Sequence, residues 1–438
     1  MPGGLIEFTA FSPSEAATRY LAGLPDGATV AVALSGGGDS VGLLSALYEA
    51  ACARNGRVRL AALTVDHGLR SGSADEAAAM AELCHGLSIP HLVLSWQGDK
   101  PKTGLSEAAR EARYRLLAEG VARLHADCLV TAHTLDDQLE TVEMRRRRSD
   151  RSPRGLAGIA PAALFFGWLP VHRPFLRVLR ADIRNHLSER RIRWFDDPSN
   201  DDPRYERVRV RQAKEFALGP DAIAAAAERR GALATAAAAY LEAHARMPLP
   251  LLFELDARQE DEAANLALAT LIAVAGGQPH LPGQEQLERL RSALKSPGAV
   301  VSLGRTVVER RKDKLYIGRD RRNLPVLEIA PGESIAWDGR FRIVNETQAV
   351  ITIAPSVHQE PPEGVPSRIA RRALATLPIC AEPGHARDDV TVLPLLAPFE
   401  TVLLSFDGAL ADALCRLLGR PLFPCFLGRG VETQSICG

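Results

Sequence analysis

Short apolar runs alternate with helically spaced apolar residues through the first half of the chain. "TVAVAL" (29–34), "RLAALTVD" (59–66), "HLVLSW" (91–96) and "CLVTAH" (128–133) are brief and bounded by polar or glycine residues, and so predict buried strands. Between and after them, residues 39–54, 74–87, 106–126 and 135–148 carry apolar positions three and four apart and predict helices. In the first, Val41, Leu44, Leu47 and Tyr48 share a face; in the third, Ser106 is placed to cap the start. Strands that alternate with helices predict an α/β fold, a doubly wound, mostly parallel sheet covered on both faces. Ligands bind such sheets beyond the carboxyl ends of the strands. Three polar clusters fall there, at 35–40, 66–70 and 133–140.

The pattern then changes twice. After a basic stretch at 145–155 and an amphipathic helix predicted over 178–191, the segment 194–214 is loop-like and then basic. Near Gly219–Pro220 an alanine-rich helix or helix pair begins (221–245), which leaves both a connector and a homodimer interface open. Residues 260–296 look helical, and from 298 a hairpin pair is predicted. A break near 324 precedes a β-rich unit. The expected division is 1–218 for a catalytic domain, 219–323 for a mainly helical connecting domain and 324–438 for a small α+β C-terminal domain.

Composition adds limits. The chain has 438 residues, with 53 Lys and Arg against 53 Asp and Glu, so bulk charge points to no polyanion and local charge has to carry that question. The seven cysteines include no CxxC pair, which argues against a zinc ribbon, a redox pair or a cluster held by paired cysteines. Cys52, Cys84 and Cys128 read as small core residues, and the unpaired set fits a reducing cytosol. The N-terminus lacks the features of a signal peptide, and charges interrupt every long apolar stretch, so a soluble cytoplasmic protein with no membrane contact is expected.

The glycine stretch "SGGGDS", Ser35, Gly36, Gly37, Gly38, Asp39 and Ser40, joins the first strand to its helix. Its bland reading is a flexible turn. Its specific reading is a phosphate cradle, because glycines let backbone N–H groups converge on an anion and a helix N-terminus adds positive potential. It has neither the Gly-Lys-Ser/Thr ending of a Walker A loop nor GxGxxG spacing. Without that lysine it suits a leaving pyrophosphate better than γ-phosphoryl transfer. Asp39 would then hold Mg2+ rather than phosphate.

S-G-G-x-D-S after a first strand resembles the PP-loop motif of the N-type ATP pyrophosphatases, which adenylate a substrate oxygen and release pyrophosphate. "VDHGLR" (65–70), "EAAREARYRLL" (107–117), "TAHTLDDQLET" (131–141), "RGLAGI" (154–159), "HRPFL" (172–176) and "DDPSNDDPRYERVRVR" (196–211) resemble, in this order, the tRNA(Ile)-lysidine synthase family. The strong resemblance covers about the first half of the chain; the rest is similar in layout, with a C-terminal domain opening on "WDGRF" (337–341). The resemblance implies ATP and Mg2+ as cofactors, and free L-lysine and an isoleucine tRNA with a CAU anticodon as partners. It implies lysine joined to carbon 2 of the wobble cytidine through an adenylate. The chain departs from the family at Thr134, where a second histidine is usual, at Val208, where an asparagine is, and in the arginine-rich stretch that replaces a Gly-Ser-Gly turn.

The candidate site residues follow from these stretches. Arg110 and Arg113, three apart on one helix face, either brace phosphates or belong to a salt-bridged surface with Glu107 and Glu111. Asp136, Asp137 and Glu140 share a helix face, favoured there by the dipole in any case, and are candidates to hold lysine ammonium groups or a second Mg2+. His133 is a core histidine, a group that positions the adenylate, or an acceptor of the amine proton. Arg145, Arg146, Arg147, Arg148, Arg151 and Arg154 form a candidate tRNA-contacting lip, and Arg204, Arg207, Arg209 and Arg211, at strand spacing after Arg204, a second one. Two alternatives remain in view. A tRNA thiolase needs a persulfide cysteine or a CxxC-held cluster, and a non-catalytic nucleotide or tRNA binder has no need of a pyrophosphate exit site.

Overall fold

The computed structural model describes residues 9–68, 73–97, 101, 103–148, 154–196, 202–213, 215–356, 360–380 and 389–426. They divide into two compact units, residues up to Arg230 with those from Pro424 on, and Gly231–Phe423.

The first unit runs α1 (Pro13–Ala22), β1 (Thr29–Ala33), α2 (Gly38–Ala53), β2 (Arg59–Asp66), α3 (Ser73–Gly86), β3 (His91–Ser95), α4 (Leu105–Arg123), β4 (Cys128–Val130) and α5 (Leu135–Arg148). A hairpin of β5 (Ala162–Phe165) and β6 (Leu169–His172) follows, then α6 (Arg180–Glu189) and α7 (Glu206–Ala213); α8 (Pro220–His244) starts here. The strands lie in the order β5-β6-β4-β1-β2-β3. All neighbours pair in parallel except β5 with β6. From β1 the chain moves outward to β2 and β3, then returns to place β4 on the other side of β1. That reversal opens a crevice beyond the carboxyl ends of β1 and β4, the preferred ligand position in open parallel sheets. Both the glycine loop and the start of α5 emerge there.

The core explains the strand content. Val30, Ala31 and Val32 of β1 and Leu129 and Val130 of β4 are fully buried, as central strands covered on both faces require. One side is closed by α1, α2 and α6, whose Leu21, Leu43, Leu44, Leu47, Ile183 and Leu187 join one cluster.

Several sequence expectations shift. The fourth strand stops at Val130, so Thr131–His133 are loop, free to turn toward the crevice. The third helix starts at Leu105 with the left-handed Gly104 as its cap, not Ser106. Cys84 and Cys128 are buried, but Cys52 is exposed. Arg207, Arg209 and Arg211 lie in the helix α7 rather than at strand spacing. Their alternation with Val208 and Val210 mimics a strand, yet four-residue spacing sends Arg207 and Arg211 to one side. The hairpin β5–β6 occupies "AALFFGWLPVH" (162–172), where the sequence pattern had suggested no element.

In the second unit, β7 (Ala245–Leu249), β8 (Leu252–Asp256), β9 (Val300–Leu303), β10 (Thr306–Arg311) and β11 (Lys314–Arg319) form an antiparallel sheet ordered β7-β8-β11-β10-β9. Helices α9 (Glu262–Gly276) and α10 (Gln284–Ala293) stand where one helical stretch was expected. Two three-stranded sheets follow, from β12 (Leu327–Ile329), β13 (Ser334–Trp337), β14 (Phe341–Asn345), β15 (Ile351–Pro355), β16 (Pro378–Cys380) and β17 (Val390–Pro394). Also here are α11 (Ser367–Leu374), α12 (Ala397–Glu400) and α13 (Gly408–Leu418). The "WDGRF" stretch has a structural task in this unit: buried Asp338 takes Arg319 at 3.0 Å, Arg340 at 2.6 Å and Arg305.

The seat of α2 against α6 gives a stability prediction. A Cβ on Gly42 would lie 2.2 Å from Ile183 Cγ2, a branched and therefore stiff neighbour on α6. Alanine gains about 1 kcal/mol in helix propensity, but overpacking of this kind costs about 1–3 kcal/mol. Gly42→Ala is expected to lower stability on balance, read as a reduced urea midpoint with an unchanged m-value.

Candidate active site

The glycine loop has a defined shape. Gly36 has φ +84°, a conformation that L side chains rarely adopt, and its carbonyl accepts from Phe195 N–H at 3.0 Å. A Cβ on Gly38 would press on the Trp194 ring at 3.3 Å. At Gly37 a Cβ would meet only Ser35 Oγ, at an ordinary 3.6 Å. The chain's own packing thus accounts for two of the three glycines, and the third fits a backbone that a ligand approaches. Ser40 Oγ donates to Gly37 O at 2.9 Å and lies 3.1 Å from Ser35 Oγ, which ties the two ends of the loop together. Gly37 caps α2 with no side-chain bond, so the helix N-terminus is left to the crevice.

Beside it lies an acidic group built on α5. Thr134 N–H donates to Asp137 Oδ2 at 2.8 Å, and Asp137 N–H lies 3.3 Å from Thr134 Oγ1. This reciprocal cap fixes Asp137 and gives Thr134, fully buried, a role of its own where a histidine is usual in the family. Glu140, one turn on, is 1% exposed. It accepts from Arg207 Nε at 2.8 Å, Arg211 Nε at 2.8 Å and Arg180 Nη1 at 3.3 Å. Arg180 also reaches Asp137 Oδ1 at 2.9 Å and Asp39 Oδ2 at 3.3 Å, and its main-chain N–H donates to Asp136 Oδ2 at 2.8 Å. Asp39 and Asp136 keep about a third of their side chains exposed, at 30% and 34%. The deep carboxylates are therefore spent on arginines, and the shallow pair faces the opening. Burial raises the Asp39 carboxyl above its usual range; Arg180 opposes this, and Asp137 and Asp136 add to it.

His133 lies next to this group, with Nδ1 3.0 Å from Thr131 Oγ1. Burial holds its pKa well below the ordinary histidine range, helped by Arg173, Arg113, Arg207 and Arg110. These surroundings favour the neutral imidazole and disfavour its protonation. Arg110 and Arg113 stand over the Tyr114 ring, 5.2 and 5.4 Å from its centroid, while that ring stacks on Phe165 at 4.0 Å.

The remaining arginines are placed as follows. Arg145 donates to the carbonyls of Gly155 and Gly158, at 3.2 and 2.9 Å. Arg146 and Arg147 hold Glu143, at 3.0 and 2.8 Å, and the bond from Arg146 leads in bringing that carboxyl down to about 2. Arg148 pairs with Glu206, Arg204 with Asp202, and Arg209 donates to Pro203 O and Arg204 O. Arg145–Arg148 are the last turn of α5, where cations suit the helix dipole. Arg154 lies by the short 3-10 turn that follows, and Arg151 is outside the described residues.

Sequence reasoning missed Arg180, Trp194, Phe195, Arg173 and Tyr114. "HRPFL" drew attention to its own residues, and Arg180, four beyond it, read only as part of an amphipathic helix. Trp194 and Phe195 stood next to a noted motif; aromatic residues beside acidic turns are the signal that was available. Among the described residues no group of three or more His, Cys, Asp or Glu is arranged to hold a metal ion.

A glycine loop that runs from the first parallel strand into a helix, with an acid cluster across the switch point, defines a PP-loop domain, and the PP-loop domain family matches residues 14–214. The chain belongs to the tRNA(Ile)-lysidine synthase family. It is 39% identical over 420 residues to the tRNA(Ile)-lysidine synthase of Rhizobium meliloti (strain 1021), covering 90% of this chain and 92% of that one. It is 38% identical over 424 residues to that of Mesorhizobium japonicum (strain LMG 29417 / CECT 9101 / MAFF 303099), with 90% and 92% covered. To that of Brucella melitensis biotype 2 (strain ATCC 23457) it is 38% identical over 353 residues, with 77% and 79% covered.

The α5 cap gives a second prediction. Thr134→Ala removes a buried cap and frees Asp137, and is expected to cost about 1 kcal/mol or somewhat more. Thr134→Ser keeps the hydroxyl but deletes a buried methyl, and is expected to cost about 0.8 kcal/mol, less than Thr134→Ala, which loses both groups; both are read by urea unfolding.

Proposed function

We propose that this protein ligates free L-lysine to carbon 2 of the wobble cytidine of a CAU-anticodon isoleucine tRNA, giving lysidine. In the first step the carbon 2 oxygen attacks the α-phosphorus of ATP. The bond from that phosphorus to the bridging oxygen breaks and pyrophosphate leaves. In the second the lysine Nε attacks carbon 2, the carbon–oxygen bond breaks, AMP departs with the oxygen, and the amine loses a proton.

The observation that carries this reading is the joining of the two half-sites. Arg180 touches Asp39 on the glycine loop and Asp137 and Glu140 on α5, so a nucleotide at the loop and an amine at the acids would be neighbours. The loop N–H groups, the end of α2 and the Ser35 and Ser40 hydroxyls suit the pyrophosphate portion. Arg110 and Arg113 are assigned to the α-phosphate. Asp136 and the acids behind it are assigned to the lysine ammonium groups. The neutral His133 is available to position the adenylate, and its lowered pKa disfavours it as the acceptor of the amine proton. Asp39, partly exposed beside the loop, suits Mg2+, which when bound would neutralise charge on the triphosphate. The arginine-rich end of α5, Arg154, Arg204, Arg207, Arg209 and Arg211 are assigned to tRNA phosphates, with Arg151 among them in sequence; Arg146, Arg147, Arg148, Arg204, Arg207 and Arg211 would have to exchange bonds to Glu143, Glu206, Asp202, Asp137 and Glu140 to take part. A sulfur-transfer reading has less support. Burial pushes the Cys84 and Cys128 thiols up to about 11 and about 12, the opposite of an activated nucleophile. Among the described residues no helix is long and apolar enough to cross a membrane.

Incubation with labelled lysine, ATP, Mg2+ and CAU isoleucine tRNA is expected to place label in the tRNA. Asp39→Asn should lower tRNA-dependent pyrophosphate release by about 100-fold or more, the scale of losing one strong transition-state contact. No label in tRNA from folded protein would overturn the proposal, and full activity in Asp39→Asn would remove the role given to that carboxylate.

A further inference from the structure

Four carboxylates, Asp39, Asp136, Asp137 and Glu140, face three guanidiniums, Arg180, Arg207 and Arg211. The arginines are not equivalent. Arg207 meets Asp137 and Glu140, and Arg211 meets Glu140, all at the deep end. Arg180 lies within 4 Å of all four acids, including the two exposed ones. Its backbone is anchored at the first turn of α6, while the guanidinium hangs from a rotatable stem. Its own side chain is the least exposed of the three, at 16% against 40% and 33% for Arg207 and Arg211, but of the three it is the one that bridges the partly exposed Asp39 and Asp136 to the buried pair.

We propose that Arg180 is an internal counterion, standing in the nucleotide-free chain where the substrate ammonium will sit and yielding when Asp39 turns to the nucleotide. This rests on the lysine-ligating function proposed above. With Arg180 in place the cluster carries one surplus negative charge, and with it withdrawn, two. A cationic amine and the guanidinium compete for the same oxygens, so lysine is held weakly until Asp39 has another partner. The order suits the chemistry, since an amine that binds before the base is adenylated has nothing to attack. Arg180 acts here as a positioning residue: it sets when the acids are available and makes no bond to the reacting atoms.

The test is calorimetric titration of the full chain with free L-lysine, with and without α,β-methylene ATP and Mg2+. An opposite charge within about 4–6 Å moves an ionisation by about 1–3 pKa units, so a competing cation should feel a change of roughly tenfold or more. Arg180→Gln is expected to bind lysine about tenfold more tightly than the parent without nucleotide, although its lysine transfer falls. The parent should gain lysine affinity when the analogue is added, and Arg180→Gln should gain little. Arg180→Lys, which keeps the charge, should behave as the parent, and Arg180→Met carries the same test if the glutamine variant does not fold. A merely structural arginine would give weaker lysine binding on removal, and equal or weaker binding in a folded variant overturns the proposal. If the parent transfers lysine to tRNA and the variant does not bind it more tightly, only the counterion role fails. If the parent transfers none, the proposed function fails.

Discussion

The site depends on the buried carboxylate of Glu140. It is almost fully inaccessible and takes its bonds from three arginines that come from two different helices, α6 and α7. An unpaired charge at that depth would cost several kcal/mol, and removing one partner of such a pair costs about 3–5 kcal/mol. Glu140 is thus a point at which α6 and α7 are both tied to α5. Through Arg180 the same network reaches Asp39, so the glycine loop is brought within one guanidinium of the acids.

This arrangement divides the carboxylates by depth. Asp137 is fixed by the Thr134 cap and Glu140 by arginines, whereas Asp39 and Asp136 keep a share of solvent. The deep acids are engaged by the chain's own groups, and the shallow ones keep contact with solvent. The raised Asp39 carboxyl is in keeping with that division, because a surplus of negative charge in a desolvated crevice makes the last anion reluctant and ready for a new cation.

Much of the first unit was legible. β2 (59–66) and α5 (135–148) match the predicted bounds, and other elements there fall within a few residues, because each carries a clear period of two or 3.6. The acids and the glycine loop were legible because their spacing on one helix and one turn is local. Arg180 was not, since its partners are 40 to 141 positions away in the chain and nothing local marks it. The bonds of Arg207 and Arg211 to Glu140 were hidden for a related reason. Basic residues in a loop-adjacent stretch suggest a nucleic-acid face, and only the fold reveals a buried acid waiting for them. Aromatic closure of the loop by Trp194 and Phe195 was equally a matter of tertiary contact.

The central claim is that the glycine loop and the α5 acids are two halves of one reaction site, one for the nucleotide and one for the amine. The most direct measurement separates the two chemical steps in Asp136→Asn, a nearly isosteric change at a partly exposed acid. The account predicts that tRNA-dependent pyrophosphate release persists near the parent rate while transfer of lysine to tRNA collapses. Loss of both steps together in a folded variant, or transfer of lysine at the parent rate, would contradict it.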